Sequence, residues 1–282
     1  MTALIDIGSD WEPALQLAAS GTAGRIFVAG PTDSGKSTLC HILQKAALEG
    51  GRSAAILDLD VGQKIIGPPA CVTLGATSAA GLVLTDLAFA ATTDPIKAWP
   101  WLIAGAQSLA RSAAVDLLVV NTCGYLNGSG AALKVAEMSV VAPDALVVLG
   151  SSPDLDVLLR QQPGCVLRLP VPRLARRKTE GERRAARRAA FRSYFADCTM
   201  LTLSERQLTT PNGAADFTPG RLVGLADQQG HDMAVGIVAD PVGDRGDINL
   251  LAPPTRAPVR QIKPGSLMLD RNFAERHIQH RP

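Results

Sequence analysis

The stretch Gly30-Pro31-Thr32-Asp33-Ser34-Gly35-Lys36-Ser37 decides how this chain is read. It fits the spacing Gly-x-x-x-x-Gly-Lys-Ser/Thr of a phosphate-binding loop. In such a loop backbone N–H groups cradle phosphate oxygens, the lysine reaches the β- and γ-phosphates, and the hydroxyl ligates Mg2+. The surroundings have the required form. Residues 25–29 (RIFVA) read as a short buried strand entering the loop. Residues 38–48 read as a helix leaving it, with Leu39, Ile42, Leu43 and Ala46 at helical spacing. Gly50 and Gly51 stop that helix. The expected nucleotide-binding residues are Gly30, Pro31, Thr32, Asp33, Ser34, Gly35, Lys36, Ser37 and Thr38, holding a nucleoside triphosphate and Mg2+.

Working outward, apolar runs alternate with helical stretches. Strands are expected at 53–60, 115–121, 145–149 and 166–169, and helices at 11–19, 99–112, 130–142 and 153–160. This alternation implies an α/β fold, a P-loop NTPase parallel sheet with helices on both faces. The phosphate loop then lies at the carboxyl edge of the sheet, where ligands bind. Beyond Cys198, Gly, Pro and Asp become frequent and helical periodicity fades. Residues 222–226, 234–239, 247–251 and 266–269 read as strands of a small β-rich C-terminal module. The expected organisation is a leader over 1–24, a P-loop domain over 25–198 with an arginine-rich lid at 173–195, and the module over 199–282.

Composition narrows the classes. There is no apolar run of about 18 residues, so no helical membrane span is expected, and the N-terminus lacks the basic and apolar regions of a signal peptide. Cys40, Cys71, Cys123, Cys165 and Cys198 are odd in number and never spaced as C-x-x-C, which points to reduced thiols in a cytoplasmic protein and not to a disulfide frame or zinc site. The formal net charge of +2 hides an asymmetry. Between Arg173 and Arg192 there are eight Arg and one Lys against Glu180 and Glu182, a net of +7, which leaves −5 on the rest of the chain. Arginine suits bidentate grip on phosphate, although charge runs also serve as solvated helix faces.

Three further segments carry chemistry. In Asp58-Leu59-Asp60-Val61-Gly62-Gln63, two carboxylates one residue apart point the same way if the chain is extended. One can hold Mg2+, directly or through water, and the other can act as general base on an attacking hydroxyl. Tyr125 closes Asn121-Thr122-Cys123-Gly124-Tyr125 at the same sheet edge and offers a face on which a nucleobase can stack. Arg183 and Arg187 share a helix face, as do Arg184 and Arg188. Such arginines can stabilise a transferred phosphoryl group or follow a nucleic-acid backbone, and the residues alone do not separate the two uses. No Asn-Lys-x-Asp guanine-reading motif is present.

GPTDSGKST, DLDVGQ, NTCGYLNGSG and an arginine lid ending in SYF occur here in one order. In this the chain resembles the RNA 5′-hydroxyl kinases that include the pre-mRNA cleavage-complex kinase and the nucleolar pre-rRNA-processing kinase, from Ile26 to Phe195. The resemblance implies transfer of the γ-phosphate of ATP to the 5′-OH of RNA or DNA. It implies Lys36, Asp60, Arg183 and Arg187 as catalytic residues and Ser37 and Asp58 at Mg2+. It assigns substrate contacts to Gln63, Thr92, Thr93, Tyr125, Arg184 and Arg188. Tyr125 stands where the cleavage-complex member has Trp, and the doubled arginines leave the lid register open by one. Thr92-Thr93-Asp94-Pro95 matches the family's substrate clasp loosely. Only about 24 residues precede the first strand, where that member has a substantial domain, so a free-standing enzyme is expected. A non-catalytic ATP-binding scaffold and a small-molecule kinase are the alternatives.

Overall fold

Five consecutive apolar residues can be covered on both faces only inside a sheet, and this requirement shapes the centre of the molecule. A computed structural model describes residues 9–78, 81–161, 164–204, 208–210, 217–239 and 247–278; residues 1–8 of the expected leader lie outside them. A 3-10 turn, Ser9–Trp11, leads into α1 (Glu12–Ala19), β1 (Arg25–Ala29), α2 (Lys36–Glu49) and β2 (Ala54–Asp58). There follow β3 (Cys71–Ser78), β4 (Gly81–Phe89), α3 (Trp99–Ser112), β5 (Leu117–Asn121) and α4 (Ser129–Val141). Next come β6 (Ala145–Leu149), α5 (Pro153–Gln161), β7 (Cys165–Leu169) and α6 (Glu180–Tyr194). The chain continues through β8 (Thr199–Ser204), β9 (Arg221–Ala226), β10 (Asp232–Val238), β11 (Asp247–Ala252), β12 (Gln261–Leu269) and β13 (Glu275–His277).

Seven strands form one sheet in the order β4-β3-β2-β5-β1-β6-β7. β1 lies parallel between β5 and β6, β2 is parallel to β5, and β7 is parallel to β6. The sheet is mixed, not purely parallel as the sequence suggested. β3 and β4 are neighbours joined by two residues, a link that only an antiparallel pair can make. Six more strands form a second, antiparallel sheet in the order β13-β12-β9-β10-β11-β8.

The chain divides into two compact units. The first comprises Met1–Asp60, Leu74–Val83 and Ala106–Lys178, and the second Val61–Thr73, Leu84–Gly105 and Thr179–Pro282. This division departs from the expected boundaries at 24 and 198. α1 packs inside the first unit: Trp11, Ala14 and Ala18 are buried, and the Trp11 indole N–H donates to the Pro170 carbonyl at 3.2 Å. α6 belongs to the second unit, where Phe191 and Phe195 share a core with Leu222, Val235, Ile237 and Leu267. Residues of β9 alternate between two cores. Leu222 faces that helix, while Val223 and Leu225 join Ile248, Leu250 and Ile262 on the other side, as a period of two requires. The second unit is thus larger than the small module expected.

Register positions the chemistry of the first unit. Asn121 is level with Val28 on one side and Asp58 on the other. The phosphate loop, the Asp58 turn and the Asn121 turn therefore leave the sheet side by side at its carboxyl edge.

Candidate active site

The phosphate loop follows β1 and ends in the first turn of α2. Asp33 and Gly35 take left-handed backbone conformations, with φ of 62° and 94°. Gly35 is the N-cap of α2 and offers no side-chain cap, which leaves the first-turn N–H groups suited to an anion. Asp33 Oδ2 accepts the Lys178 backbone N–H at 3.0 Å, bracing the loop from outside. The Ser34 hydroxyl is buried and has no hydrogen-bond partner within the described residues. Lys36 is 7% exposed, and its Nζ donates to the Pro31 carbonyl at 2.7 Å. Burial lowers the Lys36 pKa, opposed by the charges of Asp60 and Cys123 and reinforced by Lys134. An unpaired buried hydroxyl, an uncapped helix start and a nearly buried ammonium fit a triphosphate.

Asp58 and Asp60 do not sit on one extended strand. β2 stops at Asp58, and Asp58 Oδ1 accepts the Asp60 backbone N–H at 3.1 Å, turning the chain. Asp58 is fully buried, and Asn121 Nδ2 also donates to Oδ1, at 2.9 Å. Asp60 is half-buried. The physical reason is side-chain competition: a short carboxylate captures the N–H two residues on and breaks the strand. Ser37 is exposed on the first turn of α2. No group of three His, Cys, Asp or Glu able to hold a metal occurs among the described residues.

The Asn121 turn presses on the phosphate loop. Thr122 Oγ1 donates to the Val28 carbonyl at 2.9 Å. A Cβ on Gly124 would lie 2.4 Å from both Cα and N of Thr32. Tyr125 follows immediately and is 44% exposed. Behind this turn lies a buried cluster. Lys134 Nζ is 3.2 Å from Cys123 Sγ and 3.1 Å from Glu137, with both charged side chains fully buried. Burial alone would lower the lysine, but Glu137 and Cys123 raise it; burial raises Glu137 despite Lys134. The sequence does carry a trace of this cluster. The buried face of α4 is Leu133, Lys134, Glu137, Met138 and Val141, a helical stripe that runs through both charges.

The remaining expected residues lie in the second unit. Thr179 and Glu182 form a capping box that starts α6. Gln63 Nε2 donates to the Arg183 carbonyl at 3.3 Å. Arg187 is clamped: Nε and Nη2 both reach Glu275 Oε1 at 2.5 Å, and both side chains are largely buried. Arg184 pairs with Glu180, and Arg184 and Arg188 are exposed. Thr92 is buried, its hydroxyl accepting the Asp94 N–H within its own turn. Thr93 Oγ1 lies 3.5 Å from His277 Nε2. Lys36, Asp58, Asp60 and Tyr125 are therefore gathered in one unit, and Gln63, Thr92, Thr93 and the lid arginines in the other.

A strand, phosphate loop and helix of this geometry on a mostly parallel sheet define a P-loop nucleotide-binding protein. The family model described as mRNA cleavage and polyadenylation factor CLP1 P-loop matches residues 30–197, and the chain belongs to that family. It is 29% identical over 187 residues to a polyribonucleotide 5′-hydroxyl-kinase of Pyrococcus abyssi, covering 64% of this chain and 53% of that protein. The counterpart from Methanocaldococcus jannaschii is 32% identical over 188 residues, covering 64% and 52%. Clp1 of Xenopus laevis, also named a polyribonucleotide 5′-hydroxyl-kinase, is 32% identical over 192 residues, covering 61% and 43%. The chain thus spans about half the length of the curated relatives it matches. The fold is that of Clp1p in its solved complex with Pcf11p, with TM-score 0.70 at 13% identity over 92% of this chain and 78% of that one. No described helix is long and apolar enough to cross a membrane.

Proposed function

We propose that the chain is an ATP-dependent polynucleotide 5′-hydroxyl kinase acting on RNA, DNA or both. One observation supports the reading most: Gly124 packs on Thr32 of the phosphate loop, and the next residue, Tyr125, is 44% exposed with its ring edge against Gly130 at the start of α4. A hydrolytic switch has no use for such a platform, whereas a nucleic-acid acceptor stacks on it at about 1–3 kcal/mol per base. The names of the archaeal and Xenopus relatives support the same activity.

The residues divide the work as follows. The loop N–H groups and Lys36 hold the donor phosphates, and the buried Ser34 hydroxyl gains a partner there. Bound Mg2+ would supply charge neutralisation, held by the Ser37 hydroxyl, with Asp58 acting through water because Asn121 and the Asp60 N–H already occupy Oδ1. Asp60 accepts the proton of the 5′-hydroxyl as that oxygen bonds to the γ-phosphorus, while the bond from that phosphorus to the β–γ bridging oxygen breaks and its electron pair leaves with ADP. Of the two arginines assigned to charge stabilisation, Arg187 is paired with Glu275, which gives it an anchoring role as well. The buried Thr92 serves its own turn.

The test is transfer from γ-labelled ATP with Mg2+ to a 5′-hydroxyl oligonucleotide. Wild type labels the 5′ end, Lys36→Ala does not, and Tyr125→Ala weakens oligonucleotide use more than ATP binding. ATP hydrolysis without transfer would overturn the kinase reading in favour of a switch or scaffold.

A further inference from the structure

One side of α4 backs the turn that follows β5. Gly130, Lys134 and Glu137 stand at i, i+4 and i+7 and share a helix face, and all three are buried. A Cβ on Gly130 would lie 2.6 Å from the Tyr125 carbonyl oxygen and 2.7 Å from its ring at Cδ1, so the helix begins directly against that residue. One turn further on, Lys134 Nζ donates to Cys123 Sγ at 3.2 Å and pairs with Glu137 at 3.1 Å. Gly124, between the two contacted residues, packs on the backbone of Thr32 in the phosphate loop. Helix, turn and loop are thus stacked, and the ammonium holds the middle layer by its sulfur.

Stability does not account for the charged pair. Replacing a buried ion pair by apolar residues of similar volume is often neutral or stabilising, and the same stripe of α4 is otherwise built from Leu133, Met138 and Val141. Net charge does not account for it either, since a lysine and a glutamate 3.1 Å apart largely cancel at a distance. The pair does lie close to the chemistry. Burial lowers the Lys36 pKa against the charges of Asp60 and Cys123, and Lys134 adds to the lowering. Burial raises the Glu137 pKa against Lys134, and Asp60 adds to the rise. What an apolar residue at 134 could not do is donate to Cys123, the residue before the glycine that meets the phosphate loop.

We infer that Lys134, held by Glu137, is a positioning residue for the acceptor: by gripping Cys123 it fixes the turn Cys123-Gly124-Tyr125 against the phosphate loop, and with it the Tyr125 ring. Lys134 is fully buried and acts only through that turn. The inference rests on the kinase reading for what Tyr125 receives, a base of the 5′-hydroxyl strand.

The experiment is a double-mutant cycle read by equilibrium binding of a fluorescent 5′-hydroxyl oligonucleotide, with ATP binding and thermal unfolding measured on every variant. Lys134→Met with Glu137→Leu replaces the pair at similar volume. This variant should unfold at or above the wild-type temperature and bind ATP within a few-fold of wild type. It should bind the oligonucleotide about tenfold more weakly, the size of loss expected of Tyr125→Ala. Added to Tyr125→Ala, it should weaken binding by less than about twofold more, because both changes remove one and the same contact. Cys123→Ala leaves the ion pair in place and should weaken oligonucleotide binding in the same way. Cys123→Ser restores an acceptor for the ammonium and should recover most of that loss. Losses that multiply, wild-type oligonucleotide binding in the pair variant, or an equal fall in ATP binding would overturn the inference. Should the pair variant fail to fold, the two cysteine variants decide, and equal binding by both would overturn it. Label transfer from γ-labelled ATP separates the positioning role from the activity it serves. Coupled binding with no transfer to RNA or DNA sustains the role and overturns the kinase reading, and transfer without coupling does the reverse.

Discussion

Gly124→Ala is the perturbation that probes the site most locally. The added Cβ would sit 2.4 Å from Cα and N of Thr32, where ordinary contact begins at 3.4 Å. Both clashing atoms are backbone, so no rotamer change relieves them, and the Asn121 turn and the phosphate loop must separate by about 1 Å. Overpacking of this kind costs about 1–3 kcal/mol, which lowers Tm by roughly 2–10 °C in a chain of this size. A displacement of about 1 Å at a reacting centre costs about 100-fold in rate. The assay pairs thermal unfolding with label transfer to a 5′-hydroxyl oligonucleotide, and takes Gly181→Ala as the control. Among the described residues, a Cβ at Gly181 in the first turn of α6 meets only Thr179 Oγ1, at 3.9 Å. That variant should therefore be neutral or more stable by about 0.4–1 kcal/mol. Wild-type kcat/KM and Tm in Gly124→Ala would refute the claim that this turn and the phosphate loop are held in one fixed relation.

Asn121→Ala removes a donor to the buried Asp58 carboxylate and should cost about 2 kcal/mol, read as a lower urea midpoint. Glu275→Ala leaves the largely buried Arg187 without its counter-charge and should destabilise by about 3 kcal/mol, while Glu275→Gln recovers part of the loss in thermal melts. Asp116 accepts the Ser53 hydroxyl at 2.7 Å and the Ser53 N–H at 2.8 Å, which hold its pKa below the ordinary carboxylate value. Its stabilising contribution is therefore present above about pH 4 and lost as pH falls further, and Asp116→Asn should flatten that part of the urea-midpoint profile.

The central strands were legible because their signal is local and redundant. RIFVA, LLVVN and ALVVL admit no exposed face, and the loop after the first of them names itself by spacing. β3 and β4 were not legible in the same way. Their Thr, Gly and Ala content carries a weak strand signal, and β4 alternates exposed and half-buried residues along its first part. Much of β12 was hidden by Pro264 and Gly265, which stand where its register shifts against β9. The Asp58 turn shows a different limit. Spacing placed two carboxylates near the phosphate loop, but a hydrogen bond to the Asp60 N–H decides that they part company. The Arg187–Glu275 pair spans 88 residues, and nothing in the lid segment alone separates an anchoring arginine from a catalytic one. Lys134 and Glu137 could have been found, since both fall on the apolar stripe of α4.

The most direct test of the account is single-turnover transfer from γ-labelled ATP to 5′-hydroxyl RNA by wild type and Asp60→Asn, with ATP affinity measured on both. Wild type is expected to label the RNA, and Asp60→Asn to slow transfer by about 100-fold or more while binding ATP within a few-fold of wild type. Transfer by Asp60→Asn at the wild-type rate, or no label on RNA or DNA from wild type, would contradict it.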